Sequence, residues 1–400
     1  MDYRDCCPHF GECGGCQTQD VPYEHQVAAK EGMLQELFAP FWDGPVPVTP
    51  SPVLWHYRNK VDPAFAPMRY PEAPPKGFER ETVLGFKKKG RWFWPLDIET
   101  CRIAPEGLDG LLRAVREWYR PQGLRAFDSR THEGFLRTLL VRDGKRTGER
   151  MVVLITREGD FDKEGFVDAA RSAFAPSSIY HGVFHGLADV AAADTLELLD
   201  GAPSITERLE LPGREGMRSL SFRISPFSFF QTNPLATERL YTLIREWVQA
   251  IAPDTLYDLY GGAGGIAFSC ADLVQQVWSV ENVREASADG RHNAAANGIT
   301  NVTFVTEKVK NYLKYALEAE GLAPNAVMIL DPPRAGLHPK ALRRVLALAP
   351  RHLLYVSCNP KILARELPSF QEQYHLRSLR AVDLFPHTRH VEVVAELSRR

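Results

Sequence analysis

No apolar run in the 400-residue sequence approaches bilayer length, which takes roughly 20 residues. The opening Met-Asp-Tyr-Arg-Asp lacks the basic start and apolar core of a secretory signal. A cytoplasmic protein with no membrane partner is expected. Charge of one sign is also lacking: 48 Lys and Arg against 50 Asp and Glu leave a net charge of −2. Bulk charge therefore does not advertise a nucleic-acid partner. The local basic clusters Tyr57-Arg58-Asn59-Lys60 and Lys87-Lys88-Lys89-Gly90-Arg91-Trp92 read equally well as solvated turns. Cysteines are few, and their odd number, seven, in a chain without a secretory signal argues against a disulfide framework. No internal repeat or low-complexity tract stands out.

What is present is unevenly distributed. The length suggests two or three domains. Residues 1–105 are rich in cysteine, proline and aromatics, with strand-like stretches such as Val83-Leu84-Gly85-Phe86. Residues 106–221 read as a small central α/β domain: helices near 111–119 and 166–174, strands near 136–141, 151–155 and 178–183. Residues 222–400 alternate helices with short apolar strands, the pattern of a parallel sheet covered on both faces. A helix is expected over 234–250 and strands over 256–260, 277–280, 302–305, 326–330 and 353–356. A final pair, 376–384 and 391–397, closes the sheet.

Strand, then Asp258-Leu259-Tyr260-Gly261-Gly262-Ala263-Gly264-Gly265, then an apolar helix makes a glycine-rich crossover at a strand's carboxyl end. Glycines there let backbone approach a ligand, and the helix offers free N–H groups. Glu281 ends the next strand, where a carboxylate can accept from ribose hydroxyls. The loop lacks Lys-Ser or Lys-Thr, which disfavours a triphosphate. S-adenosylmethionine and a nicotinamide both remain open at this point.

Asp331-Pro332-Pro333-Arg334 and Ser357-Cys358-Asn359-Pro360 follow the next two strands and face the same crevice. A lone intracellular cysteine is most often an inert apolar residue; at a strand end opposite Asp331, Cys358 becomes a candidate nucleophile. Cys270, inside the helix after the glycine loop, reads as core. Glu392 opens an apolar strand and is either a base beside a desolvated pocket or a carboxylate paired with a cation such as Arg389. Thiolate, carboxylate and methyl donor together are the parts needed to methylate an unreactive ring carbon. An amino-group methyltransferase would want an aromatic in place of Arg334. A nicotinamide oxidoreductase leaves Cys358 and Glu392 idle.

The residues Phe229-Phe230-Gln231, Asp258-Leu259-Tyr260, Glu281, Asp331-Pro332-Pro333-Arg334, Ser357-Cys358-Asn359-Pro360 and His390-Val391-Glu392 resemble the uracil-5 methyltransferases of ribosomal and transfer RNA, across nearly the whole chain. The resemblance implies a class I (Rossmann-like) methyltransferase domain over 222–400, with Gln231, Tyr260, Glu281 and Asp331 binding S-adenosylmethionine. It implies Cys358 as nucleophile and Glu392 as base. Two positions depart from the family's habit: Gly261-Gly262 stands for a usual Cys-Gly or Ser-Gly, and Glu307-Lys308 for Gly-Asp.

Four cysteines crowd the first sixteen residues, and Cys7-x5-Cys13-x2-Cys16 with the distant Cys101 supplies four thiolates for zinc or an iron–sulfur cluster. Followed by Gln17 and Gln19, the run is similar to the four-iron cluster motif of the family's ribosomal RNA branch, which implies a [4Fe-4S] cluster on Cys7, Cys13, Cys16 and Cys101. Cys6 reads as a neighbour. Methyl transfer moves no net electrons, so a structural role is the economical one. Relatives often begin with a small β-barrel; here the cysteine run begins almost at Met1, so the barrel is expected to be absent. The expected architecture is therefore an iron–sulfur and RNA-binding region, a central α/β RNA-binding domain and the methyltransferase domain. The expected partner is RNA, 23S ribosomal RNA ahead of tRNA, with a monomer favoured. A non-catalytic iron–sulfur RNA-binding protein is the rival of a different class.

Overall fold

Apolar runs of five or six residues, cut by glycine- and proline-bearing loops, can bury both faces only inside a covered sheet. The computed structural model, which describes residues 6–72, 74, 75, 77–319 and 321–400 with only the backbone at Trp92, builds such a sheet. The opening Met-Asp-Tyr-Arg-Asp lies outside the described residues. The chain divides into two units: residues 1–22, 54–207 and 225–227 form one, and 23–53, 208–224 and 228–400 the other.

In the first unit the strands run in the order Arg91–Asp97, Thr82–Lys88, Ala64–Pro67, Leu136–Asp143, Arg150–Thr156, Ser178–Val183 and Thr195–Gly201, with Lys60–Val61 also paired to Leu136–Asp143. The helices Leu108–Tyr119 and Lys163–Phe174 lay Leu111, Leu112, Val115, Phe166 and Phe174 into a core with Leu139, Val152 and Leu154. The expected boundary at 105/106 is not where this unit divides. Ala64 pairs with Thr138, so strands from before and after residue 105 share one sheet and one core.

In the second unit the order is Val48–Thr49, Tyr374–Val382, Glu392–Arg399, His352–Ser357, Ala326–Leu330, Thr255–Leu259, Gln276–Glu281 and Val302–Thr306. Thr255–Leu259 pairs in parallel with Gln276–Glu281 on one side and Ala326–Leu330 on the other. The chain order reverses there, which opens a crevice at the carboxyl ends of those strands. The expected closing pair joins the sheet, and its strands run antiparallel. The helix Pro234–Ile251 starts at Asn233, whose side chain accepts from Ala236 N, with proline in its first turn. The helix Tyr23–Phe38, inside the region assigned to RNA binding, belongs to this unit instead. Its Leu34 and Phe38 enter the same core as Tyr355 and Leu367. Among the described residues no helix is long and apolar enough to cross a membrane.

Candidate active site and cysteine cavity

Strand register brings the catalytic candidates together. Leu259 is paired with Leu330, and Asp331 N donates to Leu259 O at 3.2 Å, so the glycine loop and the Asp-Pro-Pro loop leave the sheet side by side. Ser357 is paired with Val393 and Val356 with Val394 at the end of this antiparallel ladder; Cys358 and Glu392 are the next residues on the two strands, and Glu392 is among the charges that bear on the Cys358 thiol. Arg334 ties the loops together: its carbonyl accepts from Asn359 Nδ2 at 3.2 Å, and its guanidinium lies 3.1 Å from His390 Nδ1.

Electrostatics follows from this crowding. Burial, then Asp331, push the Glu392 carboxyl up to about 8, against the opposing pull of Arg334. Burial, then Glu392 and Asp331, push the Cys358 thiol up to about 11. Desolvation alone lifts Asp331 to about 7, and burial followed by Asp331 lifts Asp258 to about 7. Several acidic groups thus crowd one crevice, with the Arg334 guanidinium bearing on Cys358 and Glu392, an arrangement suited to a cationic ligand.

Gln231, Tyr260 and Asp331 line one cavity of about 40 Å³ together with Asp258, Tyr241 and the exposed Phe229. Glu281 stands behind the glycine loop, where its carboxylate accepts from Gly262 N at 3.1 Å and from Val283 N at 2.7 Å. Tyr260 holds a left-handed φ of 69°, a conformation costly for a side chain of this size. It is fixed by its N–H on Val280 O at 3.0 Å. A Cβ at Gly261 would stand 2.2 Å from Ser279 Oγ and 2.8 Å from Asp258 Oδ2, so a larger residue fits only if both side chains shift. Glu307 is occupied locally: its carboxylate accepts from Lys308 N at 2.6 Å and Asn311 Nδ2 at 3.0 Å. Tyr241 and Asp258 were not named from sequence as binding residues. Tyr241 looks like any aromatic on a buried helix face, but Asp258 stood in the quoted motif.

In the other unit, Cys7, Cys13, Cys16 and Cys101 line one cavity of about 240 Å³ with His9, Phe86 and Ile103. Cys6 is not among its lining residues; its thiol donates to Gln19 O at 3.4 Å. Gly15 N donates to Cys13 Sγ at 3.4 Å, and the N–H groups of Ile103 and Ala104 reach Cys101. The buried Gln19 accepts from Cys7 N at 2.8 Å and bonds to Cys16. Among the described residues no group of three or more His, Cys, Asp or Glu is gathered as a site for one metal ion.

Three comparisons bear on this arrangement. Residues 192–400 match the family model of tRNA (uracil-5-)-methyltransferase. RNA methyltransferases of Chlorobaculum tepidum and Caldanaerobacter subterraneus subsp. tengcongensis are similar along the chain. The first is 36% identical over 411 residues, covering 98% of this chain and 82% of its own. The second is 34% identical over 404 residues, covering 98% and 84%. The crystal structure of Pyrococcus abyssi tRNA (uracil-54, C5)-methyltransferase in complex with S-adenosyl-L-homocysteine superposes with a TM-score of 0.74 at 28% identity, over 96% of this chain and 85% of that one.

Proposed function

The chain belongs to the RNA uracil-5-methyltransferase family and is an S-adenosylmethionine-dependent enzyme; from that premise we propose that it methylates carbon 5 of a 23S ribosomal RNA uridine through a covalent Cys358 adduct. The observation that supports the mechanism is the end of the antiparallel ladder at Ser357 and Val393, next to which Cys358 and Glu392 stand on the two strands. The Cys358 thiolate adds to carbon 6 of uracil, and the electron pair displaced from the ring double bond makes carbon 5 nucleophilic. Carbon 5 takes the methyl group from the sulfonium, leaving S-adenosylhomocysteine. Glu392 removes the carbon 5 proton, the double bond re-forms, and the thiolate departs. Gln231, Tyr260, Glu281 and Asp331 would hold the donor, which supplies the methyl group when bound. A paired base must leave its stack to reach Cys358, so the target is a loop or flipped uridine.

The four-thiol cavity holds the cysteines that resemble the cluster motif of the family's ribosomal RNA branch, a motif that some transfer RNA enzymes share. We assign a [4Fe-4S] cluster to Cys7, Cys13, Cys16 and Cys101. A single zinc ion would need four sulfurs about 2.3 Å from one centre, whereas these thiols surround a roomy cavity with N–H groups aimed at sulfur. When bound, such a cluster cross-links distant segments; methyl transfer draws no electrons from it. The unit carrying it, residues 1–22, 54–207 and 225–227, is assigned to RNA binding. A transfer RNA uridine is the second reading, favoured by the likeness to the Pyrococcus abyssi enzyme.

Two variants and two RNAs test the proposal. Cys358→Ala should bind RNA, form no covalent complex and give no product. Glu392→Gln should accumulate a denaturant-resistant protein–RNA species carrying the labelled methyl group. Ribosomal and transfer RNA from cells lacking this gene, offered separately, decide the substrate. Turnover of Glu392→Gln at the parent rate would remove Glu392 as base, and methylation of transfer RNA alone would overturn the ribosomal assignment.

A further inference from the structure

The segment between the strands Tyr374–Val382 and Glu392–Arg399 ends on Glu392, so whatever fixes this segment fixes the carboxylate. It is held by polar side chains of the helix Tyr23–Phe38, more than three hundred residues earlier in the chain. Lys30 Nζ donates to Asp383 Oδ1 at 2.7 Å and to Phe385 O at 3.2 Å. Tyr23 Oη lies 3.1 Å from Asp383 Oδ2. Gln26 meets His387 twice: its Oε1 accepts from His387 N at 2.9 Å, and its Nε2 lies 3.2 Å from His387 Nδ1. Asn233, next to the Phe-Phe-Gln motif, donates to Leu384 O at 3.0 Å. The far end of the segment is tied off by Thr388 Oγ1, which donates to Phe385 O at 2.9 Å and accepts from His390 N at 3.2 Å.

Two features set this clamp apart from ordinary packing. The helix buries Gln26, Lys30, Leu34 and Phe38 at four-residue spacing, so half of its inward stripe is polar. An apolar stripe would cost less to bury; buried amide and ammonium groups persist only when fully bonded. His387 is fully buried with a left-handed φ of 66°, a strain that survives where neighbours over-determine it. The clamp therefore gives up stability at the segment whose end must be placed accurately.

We infer that the helix Tyr23–Phe38 is a positioning device for Glu392, acting through Gln26 on His387 and through Lys30 and Tyr23 on Asp383. The inference rests on the reading of Glu392 as base. Gln26 and Lys30 are positioning residues and are not among the residues that line the proposed donor cavity.

The test compares Gln26→Leu, Gln26→Glu and Glu392→Gln in the full-length protein. Each is given methyl-labelled donor and ribosomal or transfer RNA from cells lacking this gene. Gln26→Leu should keep KM for donor and RNA within about threefold while kcat falls about tenfold to a hundredfold, the scale of a misplaced catalytic group. It should also accumulate the methylated covalent species, because addition and methyl transfer precede the step that needs Glu392. Gln26→Glu should recover most of kcat, since a carboxylate accepts from His387 N–H and from a protonated Nδ1. If Gln26→Leu does not fold, Tyr23→Phe weakens the same clamp and should show the same split with a smaller loss. Parent kcat in Gln26→Leu with only a lower Tm would overturn the inference, as would loss of adduct formation in a folded, donor-binding variant. If Glu392→Gln traps the adduct and Gln26→Leu does not, the clamp alone falls. If Glu392→Gln turns over normally, base and clamp fall together.

Discussion

Asp331 and Asp258 line the cavity proposed for the sulfonium donor. Both carboxyls are lifted to about 7 and Glu392 to about 8, so near neutral pH each retains a proton for much of the time. A sulfonium beside them favours their ionised forms, and its binding should release protons. Calorimetry at pH 7 in buffers of different ionisation enthalpy should find net release with S-adenosylmethionine, and less with the neutral S-adenosylhomocysteine. Equal release by the two, or uptake, would mean the charge does not sit against these carboxylates. The same shifts set a stability trend for the donor-free enzyme. Below the unfolded value of about 4 both states hold the proton and there is no penalty. Between about pH 4 and 7 the unfolded chain has lost it while the folded one keeps it, so stability falls as pH rises, and the penalty is full above that range. Asp331→Asn should therefore raise Tm more at pH 8 than at pH 5.

Helix ends are the weakest marks this sequence carries, and the reason is specific. The helices Lys163–Phe174, Pro234–Ile251 and Pro339–Leu348 stop at Ala175, Ala252 and Ala349, with φ of 47°, 51° and 45°. Glycine is the usual residue there because alanine's Cβ crowds the left-handed conformation. Alanine-to-glycine substitution at each should stabilise the protein by on the order of 0.5–1 kcal/mol after the unfolded-state entropy is counted. Urea unfolding of the three single variants measures it, and a loss at all three would refute the strain. The strands that carry the active site were legible from their apolar runs and loop motifs, and the terminal pair was expected within two residues. The helix Tyr23–Phe38 was not, because Gln26 and Lys30 occupy two of its four buried positions and erase the apolar period. Nor was the strand Thr195–Gly201, whose Leu196 and Leu198 are exposed, while Ala193 and the residues before it carry no strand pattern. Tyr241 and its place in the donor cavity could not be read from a periodicity that only marks the helix's buried face.

At the scale of the whole chain, each unit has its own core. Leu111, Leu139, Val152 and Phe166 belong to one cluster; Leu34, Tyr355, Leu367 and Val393 belong to the other. Cys13 and Cys101 pack against the first core, while Gln231, Tyr260, Glu281 and Asp331, proposed to hold the donor, sit in the second unit. The regions read from sequence do not coincide with the units, because residues 23–53 cross from the first region into the second unit's core. Two cores with different ligands should not melt as one two-state system. Scanning calorimetry of the iron-loaded protein should resolve two transitions. A ligand stabilises only the unit it binds, so S-adenosylhomocysteine at about a hundred times its Kd should add roughly 2.7 kcal/mol to one transition and leave the other in place. Cys13→Ser or Cys101→Ser should do the converse, bleaching the visible absorption of an iron–sulfur cluster and lowering the unshifted transition while donor affinity is retained. Stoichiometric zinc and no visible absorption in anaerobic, iron-replete protein would exclude the cluster. A single transition that moves as a whole with S-adenosylhomocysteine would show instead that the two cores unfold together.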